Sequence, residues 1–549
     1  MAAGPDLAIL FVGNGERLAL NARAGAYLGR IGDQQRWFQS GTLAGERLDV
    51  TFCLDDDGRV SVEVYVAFAT SNDASVSAEV TITLNGRPQS LWGQVPRSLT
   101  MTRSTLWRWE SYARRWHHDR IPALVRRGVL LRHDLMGLGR QPGRGLWKDV
   151  ALPLPPFGLS PGRLRMQANP SGGERPEIGL VHEFHAHLIR AILDGEEERF
   201  AQLYPSIKSV AENIGQFRDY FFMRNGRVVD PASPEHSWHA NYAATEGAQV
   251  RIRRRGSWDL AHPMNSLLLP SLLTDDPYYL LLAQLNAVAA IGFGTALNRP
   301  PGYTGVVVAE ERGFWWGLRA LWWAEQLTPD GHLPDQFLPR RYFTRGIEQT
   351  WDYLRQRIQA RDVHGSIRRF WGTVSTFVGT DHRCVSNFQL DYGNQVLLWM
   401  RLAGRAVPDD ILDWKLQSIV RRVQLGGHYI NGVDGLDYGI STAVTGKNDD
   451  RLPYADNDGY HAWMTAERAK AGLPPMRRDV VPIHFSGATH RNLQLALGVL
   501  QMMTHAGVKT VIDPQAAFGR IMRGFVDREG KRVMPPFPGE FYLKNSVMY

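Results

Sequence analysis

The residue types that could do chemistry concentrate between His236 and Glu325. His239 closes the run His-Ser-Trp-His (236–239), and Trp258-Asp259-Leu260-Ala261-His262-Pro263-Met264-Asn265 follows. His262 lies three residues after Asp259 in a loop entering a helix, where a carboxylate can orient an imidazole; His262 is the first candidate for a general base and His239 the second. Arg312, at the start of Glu311-Arg312-Gly313-Phe314-Trp315-Trp316, has the geometry to clamp a carboxylate, with an ion pair to Glu310 or Glu311 as the plainer alternative. Tyr392 follows Asp391 at another helix start and is a candidate proton donor. Trp315 and Trp316 are adjacent, so on a helix they point about 100° apart and at most one faces a cavity. Polar groups at helix mouths backed by tryptophan suit a saccharide, because indole offers a flat apolar face with a polar edge.

Two helices must position these groups. Thr274-Asp275-Asp276-Pro277 starts one that runs to about 291, and Glu311 starts the other. From about residue 180 the hydrophobic period is 3.6, and helices are expected near 197–215, 262–273, 277–292, 312–327, 345–361, 386–404, 409–424, 461–471, 488–506 and 514–526. Short loops between consecutive helices favour antiparallel neighbours. Ten or so helices without a fixed-length repeat favour an α/α toroid over a regular solenoid. Residues 1–134 instead show period-2 runs at 7–12, 18–20, 48–54, 59–70 and 76–84, with possible further strands at 101–110 and 126–133. Asn-Gly and Asp-Gly turn signals separate several of them, which predicts an antiparallel β-sandwich. The expected organisation is a sandwich over 1–134, a linker with additional strands over 135–195, an α/α toroid over 196–530 and an extended tail over 531–549. The run His182-Glu183-Phe184-His185-Ala186-His187 alternates too tightly for HExxH and reads as a surface strand.

Composition narrows the class. Among 549 residues, 44% are hydrophobic and 21% charged, as in a folded globular chain. No apolar run approaches the roughly 20 residues that span a bilayer, so no membrane insertion is expected. The N-terminus lacks a basic and apolar leader, which points to a cytoplasmic or virion-associated protein rather than one exported with a signal peptide. The net charge of +8 suits polyanions, but no helix-turn-helix, zinc-finger or RNP-like pattern speaks for nucleic acid. Cys53 and Cys384 form neither CxxC nor a zinc spacing. P-loop, GxGxxG and GxSxG patterns are absent, so no cofactor is implied, while a structural divalent cation is left open. The Asp-rich segment 448–461, ending in Asp458-Gly459-Tyr460-His461, lacks the spacing of a calcium loop and reads as a polar loop near the toroid mouth.

With those elements in place, residues 200–400 resemble the exo-rhamnogalacturonan-lyase-like polysaccharide lyases, and more loosely other α/α-toroid carbohydrate-active enzymes. The carrying segments are Ala211-Glu212-Asn213-Ile214 with Arg218-Asp219, Trp258 to Pro263, Leu272 to Leu280 and Glu311 to Arg319. The resemblance implies a polysaccharide lyase acting on an acidic polysaccharide by β-elimination. His262 or His239 then removes the C5 proton with Asp259 as orienter, Tyr392 protonates the leaving oxygen and Arg312 meets the uronate carboxylate. Trp258, Asn265, Glu311, Trp315, Asp391, Tyr460 and His461 bind substrate. A glycoside hydrolase would instead need paired carboxylates, such as Glu310 or Glu311 with Asp391, Asp259 or Asp458. A non-catalytic glycan-binding virion tail component is the other alternative, with homo-oligomerisation or virion assembly as possible associations.

Overall fold

The computed structural model describes residues 4–66, 75–91, 97–102, 106–112, 115–134, 180–181, 183–213, 215, 223–232, 267–293, 302–306, 311–360, 372–374, 382–385, 387–425, 440–441, 469, 481–482, 487–523, 525–526 and 542–543. An N-terminal antiparallel β-sheet region precedes a helical region. The strands are β1 Leu7–Gly13, β2 Glu16–Asn21, β3 Ala26–Ile31, β4 Gln34–Leu43, β5 Glu46–Asp55, β6 Val60–Val66, β7 Ser75–Leu84, β8 Arg87–Gln89, β9 Arg97–Thr102 and β10 Leu106–Glu110. They form two five-stranded sheets, β2-β1-β7-β8 with β9 also on β7, and β10-β6-β5-β4-β3. Asn14-Gly15 and Asn85-Gly86 take positive φ at both positions, which is what two-residue hairpin turns require. One apolar core joins the sheets and includes Phe11, Val80 and Ile82 from the first, and Trp37, Phe52, Val62 and Trp107 from the second.

The opposite face of the second sheet is also buried, yet it is charged. Alternation puts Arg36, Thr51, Cys53, Glu63 and Arg108 there, with Arg36 opposite Cys53 and Glu63 opposite both Thr51 and Arg108. Arg36 pairs with Glu63, and Arg108 reaches Asp276 of the helical region at 2.6 Å. Gln336 donates to Thr51 Oγ1 at 3.3 Å, and the Arg36 guanidinium lies 5.6 Å from the Phe337 ring centre. This burial explains why the sequence hid β4: Gln34 and Arg36 point inward, so no apolar alternation marks it.

Cys53 is buried in this row, its Sγ 3.9 Å from Glu63 Oε1. Burial pushes its thiol from 9.0 up to about 12; Glu63 adds to the rise, while Arg36, Arg108 and Ser61 oppose it. The unfolded chain therefore loses this proton first. The stability that Cys53 contributes is full below pH 9 and is lost as pH rises through about 12. In urea titrations at increasing pH, the free-energy difference between wild type and Cys53→Val should stay constant up to pH 9 and shrink above it.

The helices are α1 Ile121–Arg126, α2 Glu183–Leu193, α3 Glu197–Asn213, α4 Leu268–Thr274, α5 Pro277–Phe293, α6 Glu311–Leu327, α7 Arg340–Ala360, α8 Asn387–Leu402, α9 Asp409–Leu425, α10 Gly487–His505 and α11 Pro514–Arg523. No helix among the described residues is long and apolar enough to cross a membrane. Helices α5 to α11 lie close to their expected positions, while the helix expected near 461–471 falls mostly outside the described residues. Two expectations are corrected. Residues 183–187 open α2 rather than a surface strand, with His185 and His187 buried in it. Residues 121–126 are helical and only 133–134 are extended, so 126–133 is not a strand.

Ring contacts and ion pairs fix the helix directions. Trp316 and Tyr392, each the sixth residue of its helix, have ring centres 4.5 Å apart; Trp323 and Trp399, each the thirteenth, are 5.8 Å apart. Helices α6 and α8 therefore run parallel and in step. Phe314, early in α6, lies 6.0 Å from Tyr353, late in α7, so that pair is antiparallel. Arg401, late in α8, holds Asp409 at the start of α9 at 2.8 Å, so that pair is antiparallel too. Helices α6, α8 and α10 pack in a row, and α7 and α9 back it. Gln284 reaches Thr328 beyond the end of α6, while Gly317, early in α6, lies against Ala290, late in α5. The start of α5, with Asp276, thus sits at the C-terminal end of α6. The charged sheet face covers that end.

Candidate functional site

Helix α6 is buried almost all round, from Glu311 and then Gly313 to Glu325. Its charged side chains must consequently find partners inside the protein. Glu311 Oε1 accepts from Lys415 Nζ at 2.8 Å and from Trp315 Nε1, one turn on, at 2.6 Å. The ammonium also lies 4.6 Å from the centre of the Trp315 ring, an attractive arrangement with the indole face. Lys415 comes from α9. Its stem passes Gly393 of α8, where a Cβ would lie 2.5 Å from Lys415 Cε and 2.5 Å from Trp315 Cε2. Only glycine leaves room for both.

The network continues along α8. Ser418, one turn after Lys415, donates to the Lys415 carbonyl at 2.9 Å and accepts from Asn394 at 3.0 Å. The same Asn394 amide donates to Asp391 Oδ1 at 3.3 Å. Tyr392 packs against Trp316, and the Arg319 guanidinium sits 4.1 Å from the centre of the Trp316 ring and 4.9 Å from that of Trp323. Burial lowers Arg319 to about 9, against the opposing influence of Tyr392. It remains a cation at neutral pH.

Of the expected site residues, the structure brings Glu311, Trp315, Asp391 and Tyr392 into this one neighbourhood within the first two turns of α6 and α8. All four are buried. Arg312, in the same first turn of α6, is half-buried. Trp315 and Trp316 are both enclosed, so neither presents an open face for stacking. His239, Trp258, Asp259, His262, Asn265, Tyr460 and His461 lie outside the described residues, as do His236, Glu310 and Asp458. Among the described residues, no group of three or more His, Cys, Asp or Glu side chains is placed to hold a metal ion.

Sequence reasoning missed Lys415, Gly393, Asn394, Ser418 and Arg319. A signal for Lys415 exists. It sits midway between Ile411 and Ile419 at helical spacing of four, the one cation in an otherwise apolar stripe, and both isoleucines are buried. A lysine there must find an anion, and the sequence alone does not say which. No protein-family model, no curated protein and no solved structure matches this chain.

Proposed function

We propose that the chain is a carbohydrate-active enzyme that cleaves an acidic polysaccharide by β-elimination, built as a β-sandwich followed by an α/α toroid. One observation carries the reading: α6 and α8 run parallel, and their N-terminal halves bring Glu311-Arg312, from the first turn of α6, and Asp391-Tyr392, from the second turn of α8, around one network. Parallel helices in a row, each with an antiparallel partner behind it, are what helical hairpins produce as they curl into a toroid. Two helix N-termini facing the same way also favour an anion between them.

In this reading Arg312 meets the uronate carboxylate and stabilises the charge that develops as the C5 proton leaves. Tyr392 is the proton donor, and His262, oriented by Asp259, or His239 is the base. Glu311 is committed to Lys415 and Trp315, which makes it a support for the first turn rather than a reacting carboxylate. That commitment takes Glu311 out of the hydrolase alternative, whose two substrate-facing carboxyl groups would then have to include Glu310 instead.

The test is a panel of acidic polysaccharides assayed for the ultraviolet absorbance of newly formed unsaturated uronates and, in parallel, for new reducing ends. The wild-type chain should generate both on at least one substrate, and Arg312→Ala should lower the rate by about 100-fold or more. Reducing ends without unsaturated uronates would replace elimination with hydrolysis. Neither signal, with binding retained, would make the chain a glycan-binding component, as in a virion tail.

A further inference from the structure

We propose that the seam between the sheet β10-β6-β5-β4-β3 and the helical region is a plane along which the molecule opens without unfolding. Each side of the seam has a separate apolar core. Among the described residues, Ile31, Tyr65 and Leu106 are the buried apolar side chains that the sheet strands contribute to the helical core. Pro334 meets Gly29 and Phe38 meets Gly226 as smaller apolar contacts, and the centre of the seam is polar. Arg36 pairs with Glu63 within the sheet, and Arg108, which holds Glu110 of its own strand at 3.1 Å, crosses the seam to Asp276 at 2.6 Å. Arg47 donates to Asn225 at 2.6 Å, the Gly226 amide donates to Asp49 at 3.3 Å, and Gln336 donates to Thr51.

Buried ion pairs specify how two surfaces meet more than they hold them together, because the attraction is offset by lost hydration. Opening the seam returns those groups to water and leaves the apolar core between the two sheets intact. It therefore requires less free energy than unfolding either region, as local opening generally does. The seam lies at the end of α6 away from Arg312, so this inference stands apart from the reading of that site.

Cys53 is the natural reporter, being buried in the middle of the charged row. The experiment measures thiol labelling of Cys53 in the full chain, in a Cys384→Ser background, against urea concentration below the unfolding midpoint. Seam opening predicts a labelling rate with a shallow urea dependence, since little surface is exposed, and a steep limb only near global unfolding. Asp276→Asn should raise the shallow rate by about tenfold or more, because Arg108 loses its closest anion. The pair Arg36→Met with Glu63→Met, which makes the seam apolar, should slow it. Labelling that follows the steep dependence of global unfolding throughout would overturn the proposal. The wild-type urea profile decides this even where a variant does not fold.

Discussion

Replacing Lys415 with alanine lowers the unfolding free energy by about 3–5 kcal/mol, the usual cost of removing one member of a buried ion pair. The Lys415 and Glu311 side chains are 0% and 4% exposed, and Nζ and Oε1 are 2.8 Å apart. With the ammonium gone, the Glu311 carboxylate keeps the Trp315 N–H and stays in a site that water does not reach. The Lys415 stem also fills the space beside Gly393, so its loss leaves a cavity as well. The double variant Lys415→Met with Glu311→Gln separates these contributions. Methionine refills the stem, and the glutamine oxygen still accepts from Trp315 without a buried charge. The double variant should recover more than half of the loss, read as the urea midpoint at unchanged slope. A Lys415→Ala midpoint equal to wild type would mean that the pair is hydrated and the network around α6, α8 and α9 is not closed.

Arg108→Met should have a comparable effect, about 3–5 kcal/mol, for a related reason. The guanidinium is buried among three acids: Asp276 at 2.6 Å, Glu110 at 3.1 Å and the neighbouring Glu63. It also lies 4.6 Å from the centre of the Tyr278 ring. Its charged form is held well above the ordinary arginine range by Asp276, Glu110 and Glu63, which together outweigh its desolvation. Removing it leaves like charges facing one another inside the protein. Asp276 has a second task, because its Oδ1 accepts from the Tyr278 amide at 3.0 Å and caps α5. Adding Asp276→Asn to Arg108→Met should therefore recover part of the loss, since asparagine keeps the cap and drops the charge. Further destabilisation in the double variant would show that Asp276 is stabilised by groups other than Arg108.

The same two networks explain what the sequence disclosed and what it withheld. Helices α5 to α11 were legible because their apolar residues recur at 3.6, and three of them, α5, α9 and α11, start on Asp-Pro or Pro-Asp, at Asp276-Pro277, Pro408-Asp409 and Asp513-Pro514. Strands β5, β6 and β7 were legible because apolar residues, Val above all, recur at every second position in them. β4 was not, since the face that carries Gln34 and Arg36 is buried against charge rather than hydrocarbon, and β3 was not, since Ile31 is its one buried residue. Helix α2 was misread because His185 and His187, two residues apart beside Phe184 and Ala186, imitate a strand, although Leu188, Ile189 and Ala191 continue the helical face beyond them. At the candidate site, polar residues at two helix starts were visible as such. That their first turns lie side by side follows from the parallel packing of α6 and α8, and that Lys415 joins them follows from α9 folding back on α8. Both are contacts between segments far apart in the chain, which local periodicity does not encode.

The most direct test of the proposed site is binding of a uronate-containing oligosaccharide, measured by titration calorimetry on wild type, Arg312→Ala and Tyr392→Phe under conditions where all three are folded. The account predicts binding by wild type, loss of about tenfold or more in affinity for Arg312→Ala as a charge-assisted contact is removed, and little change in affinity for Tyr392→Phe, whose effect belongs to turnover. Equal affinities for wild type and Arg312→Ala would contradict the placement of the site within the first two turns of α6 and α8.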